Sequence, residues 1–122
     1  EYELKISGQL LKDNQKLTFF EILSQIPSNN EDWYIFECDA VGKAPNNLTM
    51  SEFEDLVLNS KYGYQMSWNE LLKFSKEIED ISNLILVSSI SPVEFDAIET
   101  DTEDFLVRLE IDDSTFWELE FY

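Results

Sequence analysis

Phe105-Leu-Val-Arg-Leu-Glu-Ile-Asp-Asp-Ser-Thr-Phe-Trp-Glu-Leu-Glu-Phe-Tyr122 alternates apolar with polar residues on both sides of a polar turn. Successive side chains of a strand point to opposite faces. Phe105, Val107, Leu109 and Ile111 therefore share one face, and Arg108, Glu110 and Asp112 the other. Trp117, Leu119 and Phe121 are opposed in the same way by Glu118 and Glu120. A third alternating stretch, Val93 to Ile98, precedes this hairpin and extends the expectation to three strands, at 93–98, 105–112 and 116–122. Turns rich in Asp, Glu, Ser and Thr join them.

Outward from this meander, Leu84-Ile-Leu-Val87 and Trp33-Tyr-Ile-Phe36 are continuous apolar runs, as expected of central strands covered on both faces. Tyr2, Leu4 and Ile6 alternate with polar residues and predict an N-terminal strand. Thr18-Phe-Phe-Glu21, Thr49-Met-Ser-Glu52 and Ser67-Trp-Asn-Glu70 each fit a capping box. The helices they open would present Phe19, Ile22, Leu23 and Ile26; then Phe53, Leu56 and Val57; then Trp68, Leu71, Leu72 and Ser75 to the core. The order β-α-β-α-α-β-β-β-β predicts an α/β (α+β) single domain over residues 1–122. Its sheet is mixed or largely antiparallel with five to six strands, its three helices pack on one face, and an antiparallel meander closes the chain. A chain of this length can bury roughly two thirds of its unfolded surface.

Charge is distributed unevenly. Of 26 acidic residues, 14 lie between Glu77 and Tyr122, where Arg108 is the only basic residue; the first 76 residues hold 12 acidic and seven basic side chains. With 43% hydrophobic residues, including nine Phe, five Tyr and three Trp, the chain is too apolar for an acidic disordered tail despite its net charge of −18. Such a charge repels nucleic acid and anionic membranes and favours a basic protein or a cation. A single cysteine, Cys38, excludes an internal disulfide. No apolar run reaches the ~20 residues of a membrane span, and no basic-then-apolar signal sequence opens these residues. The cytoplasm is the expected compartment.

The chain has no histidine, so Ser-His-Asp and Cys-His nucleophilic machinery, histidine bases and histidine-ligated zinc are unavailable. Its three glycines, Gly8, Gly42 and Gly63, are too scattered for a phosphate loop or dinucleotide fingerprint. The run Asp96, Glu99, Asp101, Glu103, Asp104 lacks the spacing and central glycine of a calcium loop. Glu37 and Asp39 share one side of a strand, a placement open to an acid–base pair or to magnesium ligands, but no cleft can be inferred and an exposed strand end is by far the better reading. Cys38 is expected on the side of Tyr34, Phe36 and Ala40 as a packed core thiol. No catalysis, metal or cofactor is expected.

The candidate site is the acidic face of the meander. Glu94, Asp96, Glu110, Asp112, Glu118 and Glu120 are expected to project to one solvent-facing surface beside Arg108, with Asp101, Glu103, Asp104 and Asp113 in its turns. Alternate residues on a strand lie about 6.6 to 6.8 Å apart, a spacing that suits lysines and arginines on another protein. Tyr62 and Tyr64, flanking Gly63, could add aromatic contacts or close the core.

A resemblance rests on the compact α/β order and on two stretches, Gly63-Tyr-Gln-Met-Ser-Trp-Asn-Glu-Leu-Leu72 and Glu110-Ile-Asp-Asp-Ser-Thr-Phe-Trp-Glu-Leu-Glu120. In these the chain resembles the small acidic immunity proteins that bacteria encode beside polymorphic toxins. The resemblance implies a protein that binds a cationic toxin or nuclease domain, with the acidic residues above, Tyr62 and Tyr64 at the contact. A mimic of nucleic acid with several basic targets, and a small housekeeping protein, are the competing expectations.

Overall fold

The computed structural model describes residues 2–122. The strands are β1 (Leu4–Gln9), β2 (Leu11–Lys12), β3 (Gln15–Lys16), β4 (Asp32–Gly42), β5 (Tyr64–Ser67), β6 (Ile78–Ser89), β7 (Phe105–Asp112) and β8 (Phe116–Phe121); the helices are α1 (Phe19–Leu23), α2 (Met50–Leu58) and α3 (Trp68–Lys76). Six strands form one sheet in the order β1-β8-β7-β6-β4-β5, every neighbouring pair antiparallel, and β2 with β3 makes a separate hairpin. The class is α+β, and β6, β7 and β8 run as the C-terminal meander.

All three helices start where their capping boxes place them. Thr18, Thr49 and Ser67 each accept a hydrogen bond from the backbone N–H of a glutamate three residues on, and that glutamate accepts one from the cap's own N–H. Each box satisfies donors that a helix start otherwise leaves free. The helices bury Phe19, Ile22, Leu23, Phe53, Val57, Trp68, Leu71 and Phe74 against one face of the sheet, where Trp33, Ile35, Leu84, Leu86, Leu109 and Leu119 meet them. Trp33 and Trp68 lie with ring centroids 5.1 Å apart, as do Phe53 and Phe74. Leu56 departs from its expected role: it is exposed, while Phe74 takes a core position on α3.

The opposite face carries a smaller cluster of Tyr34, Phe36, Val87, Val93, Ile98 and Phe105. Val93 and Ile98 belong to the segment joining β6 to β7, and this segment corrects the expectation of a strand at 93–98. Phe95–Ala97 forms one 3-10 turn instead. The apolar positions that matter are Val93 and Ile98, both buried. A spacing of five suits a folded strap over the sheet but places the two on opposite faces of a strand. Phe95, the residue whose parity suggested a strand, stacks on Phe36 at 6.1 Å. Further departures are the β2–β3 hairpin, turned by Asp13 and Asn14 at positive φ, and the short edge strand β5.

Of four irregularities of register in the sheet, two decide which side chains share a face here. Ile35 pairs with Leu86 and Glu37 with Ile85, so Phe36 is an extra residue in β4. Beyond this bulge Cys38 lies on the helix side with Trp33 and Ile35, not beside Tyr34 and Phe36. In β7, Val107 pairs with Ser88 and Phe105 with Ser89, which leaves Leu106 extra and turns Phe105 to the face opposite Leu109.

Candidate functional site: an acidic sheet face

On the face away from the helices, the printed registers set side chains in rows across the strands. One row runs Glu37, Ile85, Glu110, Glu118, Ser7 through β4, β6, β7, β8 and β1. A second runs Tyr34, Val87, Arg108, Glu120, Lys5. Asp39 opposite Asn83, and Asp112 opposite Phe116, belong to the next row toward the β7–β8 turn. Neighbouring strands are about 4.8 Å apart, so Glu110 and Glu118 are direct cross-strand neighbours of like charge.

Six carboxylates thus share this face: Glu37, Asp39, Glu110, Asp112, Glu118 and Glu120. Glu110, Asp112, Glu118 and Glu120 stand where alternation places them. Glu37 and Asp39 enter because the β4 bulge turns them toward β7. Burial, then the charges of Glu110, Asp112 and Asp39, raise the pKa of Glu37, which reports the crowding of negative charge directly.

Arg108 corrects a second expectation, since it is buried instead of standing among the carboxylates in solvent. Its guanidinium donates to Glu99 at 2.5 Å, to Glu110 at 2.9 Å and to the Ile98 carbonyl at 3.3 Å. Burial opposes its charge, but the hydrogen bonds and fields of Glu99 and Glu110 more than offset this and raise its pKa. Glu99 lies on the strap, so Arg108 ties the strap to the sheet. On β1, Lys5 pairs with Glu118 and reaches Glu120 at 3.8 Å. A crevice of about 150 Å³ opens among Glu99, Arg108, Glu110, Glu118 and Glu120. Beside it, burial and a hydrogen bond to Glu120 push the Tyr122 hydroxyl up to about 12.

The remaining predicted residues separate from this face. Glu94 and Asp96 sit on the strap and not on a strand, with Glu94 3.4 Å from Lys61. Asp101 and Glu103 are exposed on the same strap. Asp104 is a structural acid: its carboxylate accepts from the Ser91 hydroxyl at 2.5 Å, and its carbonyl from the Ile90 N–H at 2.9 Å. Asp113 occupies the β7–β8 turn at positive φ, its N–H donating to Asn83.

The tyrosines divide. Tyr62 is exposed next to Lys61, whose ammonium lies 5.5 Å from its ring centre. Through the Lys61–Glu94 pair it borders the strap. Tyr64 lies in β5 on the helix side, edge-on to Phe53 at 5.1 Å, with its hydroxyl accepting from Asn46 at 2.8 Å. It is therefore remote from the acidic face, with its ring packed against the core.

Glu37 lines neither the 150 Å³ crevice nor a cavity of about 290 Å³ between α3 and β5. Among the described residues no group of three or more His, Cys, Asp and Glu is arranged to hold a metal ion, and no helix is long and apolar enough to cross a membrane. Comparison with family models, curated proteins and solved structures finds no match for the chain.

Proposed function

We propose that this protein is a binding protein whose acidic sheet face engages a basic protein surface, acting as an immunity-type inhibitor of a cationic toxin or nuclease domain in the cytoplasm, without catalysis of its own. The observation that carries the reading is the set of six carboxylates on adjacent strands, with Glu110 directly opposite Glu118. Like charges opposed across a sheet cost roughly 0.2–1 kcal/mol a pair, and a surface shaped only for solubility mixes its signs. Lys5 and Arg108 offset part of this charge through Glu118, Glu120 and Glu110, which leaves Glu37, Asp39 and Asp112 as carboxylates of this face without an ion pair among the described residues. Charge-assisted hydrogen bonds from a partner's arginines and lysines would relieve the repulsion. Long-range attraction would also speed the encounter.

Co-purification from the cells that make the protein, at low salt with a wash of rising ionic strength, tests this. The expected result is retention of one basic protein, released as salt screens the face. Retention of several unrelated nucleic-acid-binding proteins would replace a specific inhibitor with a mimic of nucleic acid. Retention of nothing basic would reject the reading.

A further inference from the structure

On the opposite side of the sheet, a cavity of about 290 Å³ lies between α3, the edge strand β5 and the loop after β4. Its apolar wall is Ala44, Met66 and Phe74, all core residues. Its polar wall differs from the rest of this acidic surface, because Lys43 and Lys73 line it together with Glu70 and Glu77. Lys5, Lys16, Lys61 and Arg108 are held in ion pairs, and Lys76 lies over the Phe20 ring. Among the described residues, Lys43, Lys73 and, on the β2–β3 hairpin away from the cavity, Lys12 have no such partner, nor does the Glu77 carboxylate. Lys73 and Glu77, the residue that caps α3, are four apart, a spacing that permits a pair, yet no ion pair joins them and both residues line the cavity.

The surroundings assign further roles. The Lys43 N–H donates to the Glu77 carbonyl at 3.0 Å, which fastens the loop beside the end of α3. Glu70 is partly committed, since one of its oxygens accepts from the Ser67 N–H in the capping box. Tyr64 Oη accepts from Asn46 Nδ2, so its own hydrogen is free to donate into the cavity. The C-terminal end of α3, where Glu77 sits, favours positive charge.

We infer that this cavity binds a small zwitterion with an apolar side chain, of the size and chemistry of an apolar amino acid. Its carboxylate would be held by Lys43, Lys73 and the Tyr64 hydroxyl, its ammonium by Glu77, and its side chain by Met66 and Phe74. The volume of about 290 Å³ lies just below the usual range for small-ligand sites, about 300–1,000 Å³, and so suits a single residue-sized molecule. The site is independent of the acidic face, and each reading can fail without the other.

Titration of the 15N-labelled protein with L-phenylalanine tests the inference, followed by amide shifts. Phenethylamine, which lacks the carboxylate, and 3-phenylpropionate, which lacks the ammonium, serve as half-ligands. Saturable shifts confined to residues 43–47, 64–66 and 70–77 are expected, with 3-phenylpropionate weaker by roughly tenfold, the scale of one charge-assisted contact, and phenethylamine, which forgoes several contacts, weaker still. Lys73→Gln and Glu77→Gln should each weaken L-phenylalanine similarly, while Lys12→Gln should leave it unchanged; all three side chains are exposed, and the spectra report whether each variant is folded. The inference is overturned by the absence of saturable shifts up to the solubility of L-phenylalanine. It is equally overturned by half-ligands that bind as tightly, or by Lys12→Gln weakening binding as much as Lys73→Gln.

Discussion

Glu37 stands one strand from Glu110 across Ile85, with Asp39 and Asp112 nearby, and its pKa is raised by burial and by those charges. A carboxyl with a raised folded-state pKa holds its proton more tightly in the folded chain. Its favourable contribution is complete below the unfolded pKa and is lost as pH rises through the folded one. Removing its charge should therefore stabilise the protein at neutral pH. Glu37→Gln is expected to raise the urea midpoint at pH 7 by an amount worth roughly 0.2–1 kcal/mol, with the gain shrinking toward pH 4. An equal gain at both pH values would show that crowding of charge is not the cause. Cys38 illustrates the other side of the strand. Burial, then Glu54, Asp39 and Glu37, push its thiol up to about 12, so little reactive thiolate exists at neutral pH. Iodoacetamide should modify it in urea and spare it in the native protein. Rapid native alkylation would mean that β4 opens.

At the scale of elements, Gly42 decides how β4 ends. Its φ is 142°, and a Cβ there would stand 2.3 Å from the Glu77 carbonyl oxygen and 2.8 Å from Ile78 Cα. Both contacts are backbone, so neither can rotate away. Gly42→Ala is expected to cost about 1–3 kcal/mol, the range for overpacking a tight site, and to shift amides of the 43–47 loop; an unchanged urea midpoint would contradict this. The helices were legible because capping boxes are local chemistry: a hydroxyl and a glutamate three residues on suffice. The β7–β8 hairpin was legible because its alternation is unbroken from Val107 to Ile111. Bulges at Phe36 and Leu106 were not, because an extra residue is set by the partner strand and leaves no mark in its own sequence. The strap at 93–98 misled through Val93, Phe95 and Ala97, whose alternation imitates a strand while burial falls on Val93 and Ile98. The bulge at Phe36 hid two of the six carboxylates of the site, since only register brings Glu37 and Asp39 beside Asp112.

For the whole molecule, the two sides of one sheet have different characters. Helices cover one side and bury most of the core. The other side is closed at one end by the strap, through Val93, Ile98 and the Arg108–Glu99 pair, and left open where the carboxylates gather. The net charge of −18 acts over a Debye length of about 8 Å at physiological salt. Total charge alone would attract any basic molecule weakly; a specific partner must respond to where the charge lies. The most direct measurement is capture from the producing cells with three baits: the wild type, Asp39→Lys with Asp112→Lys on the acidic face, and Asp55→Lys with Glu79→Lys elsewhere. All four positions are exposed, and the two variants carry the same net charge. The account predicts one basic protein retained by the wild type and by the second variant and lost from the first. Equal retention by both variants, or retention of no basic protein by the wild type, would contradict it.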